Sequence, residues 1–296
     1  MNSSDWPDIR LHEDVSLFHE AVSFTAARTA FPAGLIEKDY FATLLLARLA
    51  SVPGDHVFKG GTCLAKVYGE FYRLSEDLDF AIPMLPTASR AERSKKVARL
   101  KEAIVHLAGN MDCFDRVVPL RGANDSTQYI GSVGYTSRFD GQPQTLQVEV
   151  SLRESLLRPS TMRMAKTLLL DPVTDQPAVG PLPVRCMDAV EGLAEKFRAA
   201  MTRREVAIRD FYDIAQVVKG LGVHASDDEL LELVKLKLGV PGNESVQIGP
   251  ERLAQLRGQL VGRLKPVLRP WDFEAFDLDG AFAIVAQVAQ AFLAEE

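Results

Sequence analysis

Cysteine is scarce in this chain of 296 residues. There are three, Cys63, Cys113 and Cys186, far apart and odd in number, and no CxxC pair. That argues against a disulfide framework or a structural zinc site, and reduced thiols are the expectation. No apolar run reaches the length needed to cross a bilayer. The opening MNSSDWPDIRLHEDV is polar and acidic, unlike a secretory leader. A soluble cytoplasmic protein with no membrane partner is the expectation. Positive charge is also short: 34 Lys plus Arg stand against 40 Asp plus Glu, for a net charge of -6. This argues against a protein that coats nucleic acid with its whole surface, while leaving room for a local basic patch. Internal repeats and low-complexity tracts are missing. The remaining composition, 47% hydrophobic and 25% charged, is long enough for one large domain or two smaller ones.

The stretch that organises the chain is residues 58 to 82, FKGGTCLAKVYGEFYRLSEDLDFAI. It reads as strand, glycine turn, helix, loop, strand. Lys59-Gly60-Gly61 turns the chain, and Thr62 is placed to cap a helix running to about Gly69. In the second strand side chains alternate between faces. Leu78, Phe80 and Ile82 share the inward face, and Asp77 and Asp79 share the other. Two carboxylates on one face repel unless a cation sits between them, and all-oxygen ligands suit Mg2+ or Mn2+. Gly60 and Gly61 clear side chains from the backbone where a polyanion would approach, at the N-terminus of a helix. A phosphate seat followed by a paired-carboxylate seat is what a nucleoside triphosphate with magnesium requires.

Around this unit the chain reads in order as follows. Helices are expected over His12 to about Arg28 and over Leu35 to Ser51, and residues 1 to 12 read as a loose arm. Glu37, Lys38 and Asp39 read on spacing alone as solvent-facing. His56 to Lys59 is the first strand, and Ser89 to about Met111 a long helix. The basic start of that helix, Arg90, Arg93, Lys95 and Lys96, reads as a solvated face rather than a binding patch. Gly122 to Asp125 is a turn. Gln128 to Phe139 and Thr145 to Leu152 form a hairpin around Asp140-Gly141. On its second strand Glu149 projects from an otherwise apolar run, either into the cleft of Asp77 and Asp79 or to solvent at an edge.

Arg153 to Pro183 reads as irregular. It is the candidate boundary between a catalytic α/β half (1–183) and a helical half (184–296). Asp188 with Glu191 makes a capping-box pattern for the next helix, whose apolar stripe is Val190, Leu193, Ala194, Phe197 and Met201. Lys196 lies off that stripe. From 196 to 209 five basic residues stand against one acidic, a local charge of +4 suited to a triphosphate or an RNA backbone. Asp210 and Asp213 on the following helix read, on spacing alone, as partners in weak surface pairs. Helices at about 226–237, 249–263 and 273–294 carry no chemical motif. They read as a bundle supporting the cleft or as a partner surface.

The order GG[ST], spacer, DxD resembles the DNA polymerase β-like nucleotidyltransferases. The fuller set is similar to the AbiEii/AbiGii family of abortive-infection toxins: Glu37-Lys38-Asp39-Tyr40, KGGTCLAKVYG…RLSEDLDF, Lys196 and Arg209-Asp210-Phe211-Tyr212-Asp213. It spans roughly residues 35 to 217. The resemblance implies a small mixed sheet flanked by helices, an α/β (α+β) core, with a helical C-terminal half completing the cleft. It implies Asp77, Asp79 and Glu149 as metal ligands, with Lys196 and Asp210 as further catalytic residues and Lys38 or Asp39 bracing the nucleotide site. The nucleotide-binding set is Lys59, Gly60, Gly61, Thr62, Lys66, Ser75 and Lys196. Ser75 is implied as a site of inhibitory modification; otherwise it caps a turn. The implied activity is Mg2+-dependent addition of nucleotides from NTP to the 3′ ends of tRNA, in a chain that is monomeric when free and is neutralised by a cognate antitoxin from a neighbouring gene. Two alternatives stay open: nucleotidyl transfer to a protein or small-molecule hydroxyl, and a non-catalytic nucleotide-binding protein.

Overall fold

A computed structural model of the chain describes residues 10–293. Most of the loose arm, and residue 294 of the last expected helix, lie outside them. Two helices lead. α1 (Val15–Thr29) starts at Asp14, whose carboxylate accepts from the Leu17 N–H at 3.0 Å, and stops where Ala30 turns left-handed. α2 (Ala33–Ala50) is buried almost all round. Its early charges mostly avoid solvent. Buried Glu37 accepts from the Ser137 hydroxyl and the Arg138 N–H, both at 2.6 Å. Buried Asp39 accepts from Lys66 at 2.6 Å. Lys38 reaches Glu76, beside Asp77, at 2.8 Å.

The middle of the chain builds one sheet. β1 (Val57–Lys59) leads into α3 (Gly60–Cys63), which runs on as a single π-helical turn, Leu64–Tyr68. β2 (Asp77–Ala81) follows, then α4 (Arg90–Val105) and the short α5 (Leu107–Asn110). Next come β3 (Arg116–Ala123), β4 (Gln128–Thr136), β5 (Pro143–Ser151), β6 (Thr161–Ala165) and β7 (Leu182–Cys186). The seven strands lie in the order β3-β4-β5-β2-β1-β7-β6. β2 runs antiparallel to β1 and parallel to β5, and β7 joins β1 in parallel. Leu78, Phe80 and Ile82 are buried with Leu146, Val148 and Val150, and α1, α2 and α4 add Phe18, Tyr40, Phe41, Val97 and Leu100 to the same core.

Among the described residues six α-helices follow: α6 (Ala189–Thr202), α7 (Ile208–Leu221), α8 (Asp228–Leu238), α9 (Pro250–Gln259), α10 (Pro270–Glu274) and α11 (Leu278–Leu293). They close a second core around Phe197, Phe211, Tyr212, Val234 and Val285, which also takes in Leu64, Ala65 and Tyr72 from the sheet half. The mixed α/β architecture with a helical C-terminal half is as the sequence predicts.

The details differ in three places. β3 replaces a segment given no structure and takes in Gly122 and Ala123, the first half of the expected turn; Pro119 and a register shift between Val118 and Arg121 hide its alternation. The stretch from 153 to 183 is not irregular throughout, since it holds β6. That strand sits at the sheet edge with its first four residues exposed, so it lacks an apolar signature. The boundary at 183/184 falls inside β7, which belongs to the sheet through the pairing of Phe58 with Cys186. No helix of the described residues is long and apolar enough to cross a membrane.

Candidate active site

The glycine pair is demanded by its neighbours. Gly60 has φ +77°, and a Cβ there would overlap the Asp79 carboxylate. A Cβ on Gly61 would overlap the Arg73 guanidinium. The helical segment begins at Gly60 with Lys59 at its N-cap, so Thr62 is not the cap. Its hydroxyl instead donates to the Asp77 carbonyl at 2.5 Å, tying the glycine turn to the start of β2.

Register then brings the carboxylates together. Asp79 lies opposite Lys59 on β1 and opposite Glu149 on β5, and Asp77 lies opposite Gln147. Asp79 and Glu149 both line a cleft of about 780 Å³, with Lys59, Gly60, Gly61, Lys196 and Asp210. Burial, then the Glu149 charge, pushes the Asp79 carboxyl up to about 7, against the pull of Lys59. Burial and Glu76 push Asp77 up as well.

The oxygen-only donor set fits Mg2+ or Mn2+. Among the described residues, however, no group of three or more His, Cys, Asp or Glu side chains converges on one metal position. Asp77 is not part of the cleft lining. Magnesium sites commonly combine one or two carboxylates with substrate phosphates, so a two-carboxylate seat is sufficient chemistry.

Two ionic networks frame the cleft. In the first, Arg73 grips Asp213 through two hydrogen bonds of 2.5 and 2.8 Å. Lys196 Nζ reaches Asp210 and Asp213, each at 2.8 Å, and Arg203 reaches Asp210 at 3.2 Å. Three cations on two carboxylates leave a net charge of +1. Burial would raise Asp210 and Asp213, but Lys196 and Arg203 hold Asp210 below the usual range, and Arg73 and Lys196 hold Asp213 there. Burial would lower Lys196, and the two aspartates outweigh it.

In the second network Lys59 binds both oxygens of Glu195, at 3.0 and 2.7 Å. Lys237, fully buried, reaches Glu191 at 2.7 Å, Glu154 at 3.0 Å and Glu195 at 3.4 Å. Two lysines among three glutamates leave a net charge of -1. Glu191 adds a brace by accepting from the N–H groups of Leu157 and Arg158. It therefore does not close the capping box; Asp188 alone caps α6.

The cleft thus gathers Lys59, Gly60, Gly61, Asp79, Glu149, Lys196 and Asp210 from the residues singled out in the sequence. Asp77 stands beside it at the start of β2. Thr62 and Lys66 point elsewhere: the first is used on a carbonyl, and the second is a buried lysine spent on Asp39, its ammonium lowered by burial. Ser75 is partly buried in the loop before β2, outside the cleft lining. Asp213 is no surface partner but wholly buried. Sequence reasoning missed Arg73, Arg153, Glu195 and Asn243. Helical spacing held a clue for one of them: Gly192, Glu195, Lys196, Ala199 and Arg203 recur every three or four residues and share the cleft face of α6.

The family model described as nucleotidyl transferase AbiEii toxin, Type IV TA system, matches residues 44–292. The chain belongs to the AbiEii nucleotidyltransferase toxin family. No curated protein matches it. A crystal structure from H. pylori, carrying a provisional nucleotidyltransferase designation, is similar at TM-score 0.51 and 17% identity, covering 88% of this chain and 95% of that one. The crystal structure of JHP933 from Helicobacter pylori has TM-score 0.48 and 18% identity, covering 88% and 92%. The AbiEii assignment rests on the family match, and the first of these structures agrees with it in fold.

Proposed function

We propose that this AbiEii-family chain is a cytoplasmic toxin that transfers a nucleotidyl group from a nucleoside triphosphate to the 3′ end of tRNA, blocking translation, and is paired with a cognate antitoxin. The observation that carries the reading is the register of β2 with β5, which sets Asp79 beside Glu149 against a backbone cleared by Gly60. In the reaction the acceptor hydroxyl oxygen bonds to the α-phosphorus, the bond from that phosphorus to the pyrophosphate oxygen breaks, and pyrophosphate leaves. Glu149 takes the hydroxyl proton. Asp79 and Glu149, the two carboxylates that line the cleft, would hold Mg2+ or Mn2+ together with the substrate phosphates, with Asp77 beside them at the start of β2, and the ion would supply neutralisation of the triphosphate charge. Lys196, oriented by Asp210 and Asp213, faces the phosphates from α6 with the +1 network behind it.

The test is incubation with Mg2+, total tRNA and each labelled triphosphate in turn, beside Asp79→Asn. Label on RNA from the wild type alone supports the reading and identifies the base. Label on a protein or small molecule in cell extract, with none on RNA, replaces the acceptor. No label anywhere, with triphosphate bound, leaves a binding protein.

A further inference from the structure

Five cationic side chains line the cleft: Lys59, Arg153, Lys196, Arg198 and Arg203. Carboxylates within ion-pair distance neutralise three of them: Glu195 for Lys59, Asp210 with Asp213 for Lys196, and Asp210 for Arg203. Arg153 and Arg198 have none among the described residues. Both instead donate to one neutral oxygen, Asn243 Oδ1, Arg153 Nη2 at 2.9 Å and Arg198 Nη1 at 3.2 Å.

The orientation of that amide is forced. Its Nδ2 donates to the carbonyls of Lys237, Leu238 and Val240 at 3.0, 2.8 and 3.0 Å, which ties it to the C-terminal end of α8 and leaves the oxygen for the arginines. Arg153 is fixed further by the Val240 and Pro241 carbonyls. Arg198 Nε is buried without a hydrogen-bond partner. Two guanidinium groups sharing one neutral acceptor repel, and a buried donor left unmade is costly. The repulsion is relieved by an anion with several oxygens bound between the two groups, and guanidinium forks match phosphate geometry.

We propose that Arg153 and Arg198, held side by side by Asn243, are the phosphate clamp of this cleft. The proposal rests on the nucleotidyl-transfer reading of the same site and assigns the grip on phosphate to these two arginines ahead of Lys59, which sits in a network of net negative charge. The phosphate belongs either to the nucleoside triphosphate or to the backbone of the RNA acceptor, two sources of one chemistry.

The experiment measures binding alone. Inorganic tripolyphosphate is titrated by calorimetry and total tRNA by filter binding, into the full chain and into Arg153→Gln and Arg198→Gln. Each variant is expected to lose about tenfold or more in affinity for at least one probe. Loss for tripolyphosphate assigns the clamp to the triphosphate. Loss for tRNA alone assigns it to the acceptor. Affinities within about twofold of wild type for both probes overturn the proposal. A second measurement does not depend on the variants folding. In the wild type, saturating tripolyphosphate or tRNA should slow phenylglyoxal modification of Arg153 and Arg198, read by mass spectrometry, and unchanged rates with both overturn the proposal as well. Neither measurement reads transfer, so a chain that binds but labels no acceptor would sink the proposed reaction and leave the clamp standing.

Discussion

Single residues decide this site through what they exclude and what they neutralise. Gly60 is both left-handed and pressed against Asp79. Gly60→Ala should therefore cost about 1–3 kcal/mol through strain and the displaced carboxylate, and thermal or urea denaturation reads the loss. A variant as stable as wild type would mean that Asp79 swings away freely. Asp213 answers for the buried Arg73 and half of Lys196. Asp213→Asn leaves that charge uncompensated and should destabilise by about 3–5 kcal/mol, far more than any surface pair. Urea unfolding would check it, and a loss under 1 kcal/mol would return Asp213 to the periphery. Alternation along β2 and β5 made Asp77, Asp79 and Glu149 legible from sequence. Asp213 was not, because helical spacing shows which positions share a face but not what that face meets.

Elements position these residues through their ends and edges. α6 presents Glu195 to Lys59 from β1 and to Lys237 from α8, so one carboxylate joins sheet and bundle. Burial alone would raise Glu195, but Lys59, Lys237 and Arg198 outweigh it and hold it at about 2, below its ordinary 4.5. A depressed carboxyl stabilises the fold above the unfolded value, and that contribution is lost as pH falls through the folded one. The stability difference between wild type and Glu195→Gln should be full above pH 4.5 and shrink steadily towards pH 2. Urea midpoints across that range test it; a difference independent of pH would mean the carboxylate is not held by its lysines. The helices were readable because their apolar stripes are long and regular. β3 and β6 were not, because one is broken by Pro119 and the other is an exposed edge stabilised by its neighbour β7 rather than by its own pattern.

At the scale of the molecule the two halves interlock. Leu64, Ala65 and Tyr72 fill the helical core, Arg73 crosses to Asp213, and β7 completes the sheet just before α6 begins. A chain cut after Met187 would expose those apolar residues and strand a buried arginine. It should fail to give a native fold, with near-UV circular dichroism lost and hydrophobic dye bound. A cooperative unfolding transition from that fragment would show the halves to be independent. The sequence by itself offered the candidate groups: a glycine turn, carboxylates two residues apart on a strand, and a basic stretch from 196 to 209, each written in local order and spacing. Only the tertiary structure decided which charges are spent and which are free. Lys59 and Lys66 are paired directly with Glu195 and Asp39, whereas Arg153 and Arg198 have no carboxylate within ion-pair distance among the described residues and share Asn243, and the partners that settle this lie 27 to 136 residues away in the chain. Neutralisation depends on distances of a few ångströms between elements, and no local period encodes them.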